Sequence, residues 1–330
     1  MIESSSPKMK ATRDLADQLK RFRGIWTGFQ GARVLLTANN LGIFEHLTKP
    51  TTSEHLSETL SLDKRATGIL LDALAGLGVV KKVGLMYVNE RPARLFLLKD
   101  SPYYQGDILR HADTMWHNWS ELDSVVKTGL PVKKKRDWDA FIRGMHNLSV
   151  LRAEKVIGSL NLRGIKTAID IGGGPGTYSI ELAKRGIEVT LFDFDETLKI
   201  AEEIIQSNGI TKGITYKAGD IINDALEGTY DLILISQLFH AYSGDDNKGI
   251  LKKAVNAISP QGMIVIQEFF IEPNMMRPLE SALFSVNMLV NTTGGRCYTP
   301  KEMKQWLLEA GLKKVRITRP VDTVVIIARR

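Results

Sequence analysis

The spacing of apolar residues changes near residue 160. Before it, they recur mostly three and four apart, the period of an amphipathic helix. After it, short β-rich runs alternate with amphipathic segments, which predicts an α/β domain on a mainly parallel sheet. In that half, strands are expected at 166–171, 188–193, 214–220, 230–236 and 263–270, with helices at 177–186, 196–209, 245–258 and 300–311. Two closely spaced strands, 313–318 and 322–329, finish the chain. Their link, Arg319-Pro320-Val321, is too short for the crossover that parallel strands need, so the last strand must run antiparallel to its neighbour.

The first half predicts a smaller unit. A helix is expected at 33–47, a Thr52-capped short helix after it, a third helix at 66–80, and a hairpin over 81–97 turning at Val83-Gly84. Helix, helix, helix, hairpin is the order of a winged helix. A DNA-reading third helix should expose Arg, Lys, Asn or Gln. Leu, Ala, Gly and Ile dominate this one, so packing or dimerisation is the expected use, with no nucleic-acid partner.

Composition narrows the class without naming it. The chain has 330 residues, 43% hydrophobic and 25% charged, as in a globular protein with a sizeable core. The formal charge is +7, but the cations are scattered apart from Lys133-Lys134-Lys135-Arg136, read as a solvated loop. No apolar run is long enough for a membrane span, and the polar N-terminus lacks a signal-peptide core. A single cysteine, Cys297, excludes an internal disulfide. A cytoplasmic location is therefore expected. The six histidines show no metal-ligand spacing, and no metal is expected.

The chemistry concentrates at strand ends. Asp170-Ile171-Gly172-Gly173-Gly174-Pro175-Gly176 follows the 166–171 strand and opens a helix. Glycines there let the backbone turn sharply and approach a ligand, and a helix start offers unpaired N–H groups. A nicotinamide fingerprint counted from Gly172 would need glycine at 177, which is Thr177. The spacing instead fits acidic-x-Gly-x-Gly-x-Gly, the pattern of S-adenosylmethionine-dependent methyltransferases. Asp193, 17 residues past Gly176, ends the next strand where a carboxylate would take ribose hydroxyls. Gly219-Asp220-Ile221 ends the third, where Asp220 would accept from the adenine amine and Ile221 cover the ring. Phe194, Ser236 and Gln237 complete the expected cofactor contacts.

Together these residues resemble the plant-type small-molecule O-methyltransferase family, and the resemblance covers nearly the whole chain. Asn40-Leu41-Gly42-Ile43-Phe44, Leu71 to Val79, and Trp119-Ser120-Glu121-Leu122 with Thr128-Gly129 match its N-terminal and linker patterns. The resemblance implies a winged-helix dimerisation domain over 1–100, a helical linker lining the substrate pocket over 101–160, and a Rossmann-like seven-stranded cofactor domain over 161–330. It implies a homodimer built on the N-terminal helices, especially 11–47. It also places a proton-abstracting histidine after the fourth strand, where His240 stands, with Glu268 as the carboxylate orienting it. Ala241 and Tyr242 depart from the family's His-Asp-Trp, and Cys297 stands where a second carboxylate is expected. Glu302, at a helix start, is not read as its replacement.

Trp119, Met145, His146, Phe239, Met288 and Asn291 are the residues expected to line the acceptor; core packing stays open for Met145 and a surface role for His146. The expected reaction is methylation of a hydroxyl on a small aromatic or polyketide-like molecule, releasing S-adenosylhomocysteine. Methylation of a ring carbon, as on a tetrapyrrole, stays open. A cofactor-binding nucleic-acid methyltransferase or regulator would need a flipped-base motif after the fourth strand, and Ser236 to Gly244 carries none.

Overall fold

A computed structural model describes residues 7–133 and 137–330. Three members of the basic run, Lys134, Lys135 and Arg136, lie outside the described residues. The chain divides into two compact units, residues 1–110 and 111–330.

The first unit opens with α1 (Pro7–Asn40). The helix expected at 33–47 stops at Asn40 because Gly42 turns left-handed at φ 67°, and a 3₁₀ turn, Ile43–Leu47, follows. That turn drops Ile43, Phe44 and Leu47 into a core with Leu56, Leu71, Leu74 and Tyr87. Next come β1 (Thr51–Thr52), α2 (Ser53–Leu60), α3 (Lys64–Gly76), β2 (Val80–Val83) and β3 (Met86–Asn89). Thr52 and Asp63 cap the two helices through their side chains, accepting from His55 and Ala66 backbone N–H groups. The hairpin closes on Gly84 and Leu85, and β1 adds to β3 as a third strand. It ends at Asn89 rather than 97, because Glu90 caps a short helix, α4 (Arg91–Phe96), with proline in its first turn. Along α1, Leu15, Leu19, Phe22, Trp26 and Phe29 are exposed at alternating spacings of four and three.

The second unit takes in most of α5 (Gly106–Trp119), then α6 (Leu122–Thr128) and α7 (Trp138–Gly158). It continues through β4 (Thr167–Ile171), α8 (Thr177–Ala183), β5 (Glu188–Asp193), α9 (Asp195–Ser207), β6 (Ile214–Ala218) and β7 (Tyr230–Ser236). After these lie α10 (Gly244–Ala257), β8 (Ile258–Glu268), α11 (Leu279–Asn291), α12 (Pro300–Glu309), β9 (Lys314–Thr318) and β10 (Val324–Arg329). The seven strands are ordered β6-β5-β4-β7-β8-β10-β9. The pairs from β6 to β8 are parallel, and β10 runs antiparallel to both β8 and β9, as the short link required.

Both faces of this sheet are covered, which is why its central strands are almost wholly apolar. Ile169, Ile171, Ile233 and Ile235 pack on α10 and α12 through Ile250, Leu251, Met303 and Leu307. The alternate positions Ala168, Leu232 and Leu234 pack on α7 and α8 through Val156, Ile157 and Leu182. Two features lay outside the sequence pattern. β8 begins five residues early, at Ile258, with a register shift against Tyr230–Leu232. The segment before Thr292 forms α11, a helix the periodicity did not mark.

Candidate active site

The glycine loop is fixed by close approach. Gly172 leaves β4 at φ 63° and donates its N–H to Phe192 O at 2.8 Å. A Cβ there would sit 2.6 Å from Leu238 Cδ1, so the loop lies directly beneath the segment that leads to His240. At Gly173 a Cβ would come within 2.3 Å of Leu191 and 2.7 Å of Asp170. Gly174 is also left-handed, at φ 54°, but a Cβ there meets nothing within 4 Å. This is the point where a ligand can come down onto the main chain. Gly176, at φ 72°, starts α8.

Two further loops converge on this cradle. Asp193 accepts from Gly174 N at 2.8 Å and from Phe194 N at 2.7 Å, one bond to each oxygen, and its burial holds the carboxyl above the usual range. Gly219 N bonds Asp193 O at 3.0 Å. Asp220 closes its own loop, accepting from Ile222 N at 2.9 Å and Asn223 Nδ2 at 2.7 Å. Ile221 is buried and Phe194 exposed. Asp193 also takes a bond from the Thr197 side chain, and the two carboxylates give a rim of acceptors that suits the hydroxyls and amine of an adenosyl group. The residues present therefore fit the expected cofactor.

Asp170 lies one layer deeper. It is fully buried, and its Oδ2 accepts from Ser179 Oγ at 2.7 Å while Oδ1 has no protein partner. Burial, with the Asp193 charge adding to it, pushes its carboxyl up to about 7. Ser236 donates to Gln267 Oε1 at 2.7 Å, and Gln237 takes φ 51° with its backbone N–H on Gln267 O. Thus Ser236 Oγ–H serves the β7–β8 junction, a framework role.

The acceptor side begins at a 3₁₀ turn, Phe239–Ala241. His240 Nδ1 lies 2.8 Å from Glu268 Oε1, and Glu268 is fully buried at the end of β8. The same carboxylate accepts from Phe269 N at 2.7 Å and His240 N at 3.3 Å. The carboxylate is thus held by main chain on both sides, and it holds the imidazole by one nitrogen. Phe284 meets the ring edge-on at 4.9 Å between centroids, and Phe269 lies at 5.8 Å. A Cβ on Gly295 would stand 2.2 Å from His240 O, so the chain carrying Cys297 presses against the histidine's backbone.

Phe239, expected to line the acceptor, does not. Its ring is fully buried in the core against Trp306, whereas the neighbouring His240 turns to Glu268 and Phe284. The rings packed against His240 are those of Phe284 and Phe269. Cys297 is fully buried, and burial, with Glu268 nearby, raises its thiol to about 11, so it carries no charge at neutral pH. Glu302 caps α12 with Thr299 and pairs with Arg296 at 2.7 Å. Only Glu268 therefore brings a carboxylate to His240 among the contacts the described residues make.

A polar ladder continues along α11. Trp119 Nε1 donates to Asn287 Oδ1 at 3.0 Å, and Asn118 Nδ2 donates to Asn291 Oδ1 at 3.0 Å. Asn291 Nδ2 returns to Asn287 O and Oδ1. Met288 is buried between these turns. Ala112, Met115, Trp116 and Trp119 line an apolar groove on α5. His146 goes elsewhere: its Nδ1 lies 2.8 Å from Thr177 Oγ1 at the start of α8, and burial lowers its pKa to about 4. Met145 is half-buried beside it on α7.

Several residues escaped the sequence reading. Phe269 followed Glu268 in plain view, and Phe284 stands on the unmarked α11, four residues before the expected Met288. Asn287 shares that face. Tyr242 stood only as a departure from a family pattern, yet its phenol lies within electrostatic reach of Asp193, Asp220 and Asp246, and burial raises it to about 12.

A glycine cradle beneath a carboxylate-held histidine, on a seven-stranded sheet with a reversed last strand, defines a class I methyltransferase. The family model for the O-methyltransferase domain matches residues 128–313, and that for the O-methyltransferase dimerisation domain matches 25–99. The chain belongs to this O-methyltransferase family. It is 30% identical over 308 residues to 3-hydroxy-5-methyl-1-naphthoate 3-O-methyltransferase of Streptomyces sahachiroi, with 89% of each chain covered. It is 27% identical over 308 residues to the tetracenomycin polyketide synthesis 8-O-methyl transferase TcmO of Streptomyces glaucescens, covering 88% of this chain and 90% of that one. The fold is similar to that of human N-acetylserotonin methyltransferase in complex with S-adenosylmethionine, with a TM-score of 0.84 at 22% identity, covering 100% of this chain and 99% of that one. Among the described residues no group of His, Cys, Asp and Glu is placed to hold a metal, and no helix is long and apolar enough to cross a membrane.

Proposed function

We propose that this S-adenosylmethionine-dependent methyltransferase acts on a phenolic hydroxyl of a small polycyclic or polyketide-like aromatic, with His240 as the base. The observation that carries this reading is the 2.8 Å contact between His240 Nδ1 and the buried Glu268, on a segment packed against Gly172. Glu268 is acceptor-only when ionised, so Nδ1 carries the proton and Nε2 is left as the basic atom. The cofactor supplies an electrophilic methyl on a sulfonium. Nε2 would take the proton that the hydroxyl gives up when its oxygen accepts that methyl and the cofactor leaves as the thioether. Glu268 stabilises the imidazolium so formed.

The cofactor is held, in this reading, by Gly172, Gly174, Asp193, Asp220 and Ile221. Phe269, Phe284, Trp119 and Met288 shape an apolar, aromatic surface that suits a flat ring, and the Asn287 and Asn291 amides offer polar edges to it. The two Streptomyces relatives are named for a naphthoate and a polyketide, which supports the same acceptor class. The dimerisation-domain match and the exposed stripe from Leu15 to Phe29 support a homodimer, in which a second copy covers those side chains. A monomer by light scattering at micromolar concentration would contradict that.

The test of the reaction is transfer of labelled methyl into a panel of phenols, hydroxynaphthoates and porphyrins by wild type and His240→Ala. A methylated phenol and a loss on the order of 10² or more in kcat for the variant is the expected result. Equal rates in the two proteins would remove His240 as the base, and a new carbon–carbon bond in the product would remove the hydroxyl acceptor.

A further inference from the structure

Lys253 lies on α10, outside every residue assigned above, and is half-buried. Its ammonium donates to three backbone carbonyls at once: Ile221 O, Ile222 O and Asp224 O, each at 2.7 Å. An ammonium has three N–H donors, so these bonds use all of them. Such charge-assisted bonds are the stronger kind. Three acceptors drawn from four consecutive residues fix the path of that stretch against α10.

The stretch is the loop that follows β6. Internally it is a closed turn, with Asp224 Oδ2 accepting from Asp220 N at 2.7 Å and Asp220 O accepting from Asp224 N at 2.7 Å. Those bonds give the loop a shape but do not place it. Lys253 places it. The helix that carries Lys253 is capped by Ser243, three residues after His240, in a capping box with Asp246. One rigid helix thus starts beside the candidate base and, ten residues or about 15 Å further on, grips the loop that carries Asp220 and Ile221.

We propose that Lys253 is a positioning residue for the cofactor: its ammonium holds residues 221–224 in register with the rest of the cradle and so sets affinity for the adenosyl end. This rests on the reading that Asp220 and Ile221 take the adenine. Lys253 touches neither the base nor the acceptor groups, so it belongs to binding and not to proton transfer. A lysine that only stapled a surface turn would contribute to stability and leave affinity alone.

The experiment is calorimetric titration of S-adenosylhomocysteine into wild type, Lys253→Met and Asp220→Ala, with thermal unfolding of each unliganded protein beside it. Methionine keeps the unbranched stem and removes the three donors. Lys253→Met should weaken binding by about tenfold, with kcat at saturating cofactor within about twofold of wild type. Lys253→Gln, with two donors left, should fall between, and serves in place of the methionine variant should that fail to fold. Unchanged affinity in Lys253→Met with a weakened Asp220→Ala would overturn the role of Lys253 alone. Unchanged affinity in both would overturn the adenine reading, and the role of Lys253 with it.

Discussion

At the cofactor end of the sheet, three close contacts have a glycine main-chain N–H as their donor: Gly172 N on Phe192 O, Gly174 N on the Asp193 carboxylate, Gly219 N on Asp193 O. At the acceptor end they are made by side chains drawn from far apart, with Trp119 on Asn287, Asn118 on Asn291 and His240 on Glu268. The difference has a consequence for tolerance. A side-chain contact can be rebuilt with another side chain, so the acceptor end can change its ligand while keeping its helices. A backbone contact at positive φ, with a neighbour within 3 Å of the missing Cβ, accepts almost nothing but glycine. The cofactor end is therefore rigid in sequence and the acceptor end adaptable.

The sharpest way to break this comparison is Gly172→Ala. Its Cβ would stand 2.6 Å from Leu238 Cδ1, on a residue held at φ 63°. Left-handed backbone alone costs an alanine roughly 1–2 kcal/mol, and Leu238 must move as well. Affinity for S-adenosylhomocysteine should drop by on the order of 10²-fold. Because Leu238 leads directly into His240, kcat should fall too, whereas His240→Ala should spare cofactor affinity. A Gly172→Ala protein that binds normally would show that the loop relaxes, and the contrast between the two ends would lose its basis.

The same contrast explains what could be read from the chain. The cradle was legible because it lies within short stretches: seven residues from Asp170 to Gly176, then Asp193 and Gly219 to Ile221 at successive strand ends. The reversed last strand was legible because a three-residue link cannot cross a sheet. His240 with Glu268 was legible only through family resemblance, since 28 residues separate them and no local rule joins them. Asn118 and Asn291 lie 173 positions apart, and nothing in either neighbourhood announces the other. Phe239 misled for a related reason. On a 3₁₀ turn, adjacent side chains point in widely different directions, and the one beside His240 faces Trp306 in the core. α11 was missed because its apolar residues surround the helix more than they stripe it, with Leu279, Leu283 and Leu289 exposed while Met288 and Val290 are buried.

A smaller effect sharpens the comparison from beneath the cradle, one layer below the Asp193 carboxylate. Asp170 is buried with its carboxyl raised to about 7 from an ordinary 3.8. Between those values the unfolded chain has lost the proton while the folded protein keeps it. Folded stability attributable to Asp170 therefore falls as pH rises through this window and levels off above about 7. His146, lowered to about 4 from 6.5, works in the opposite sense: the unfolded chain binds the proton there, so stability rises with pH over that interval. The two slopes oppose each other, and the difference between wild type and Asp170→Asn isolates the first, since His146 is common to both. Thermal unfolding without ligand from pH 5 to 8 should show wild type losing roughly 2 kcal/mol against the variant over that range. Parallel curves would mean that the carboxylate is ionised throughout. Asp170 would then be a permanent charge under Gly173, placed to meet a cationic ligand through the oxygen that has no protein partner, and side-chain electrostatics would count at the cofactor end as they do at the acceptor end.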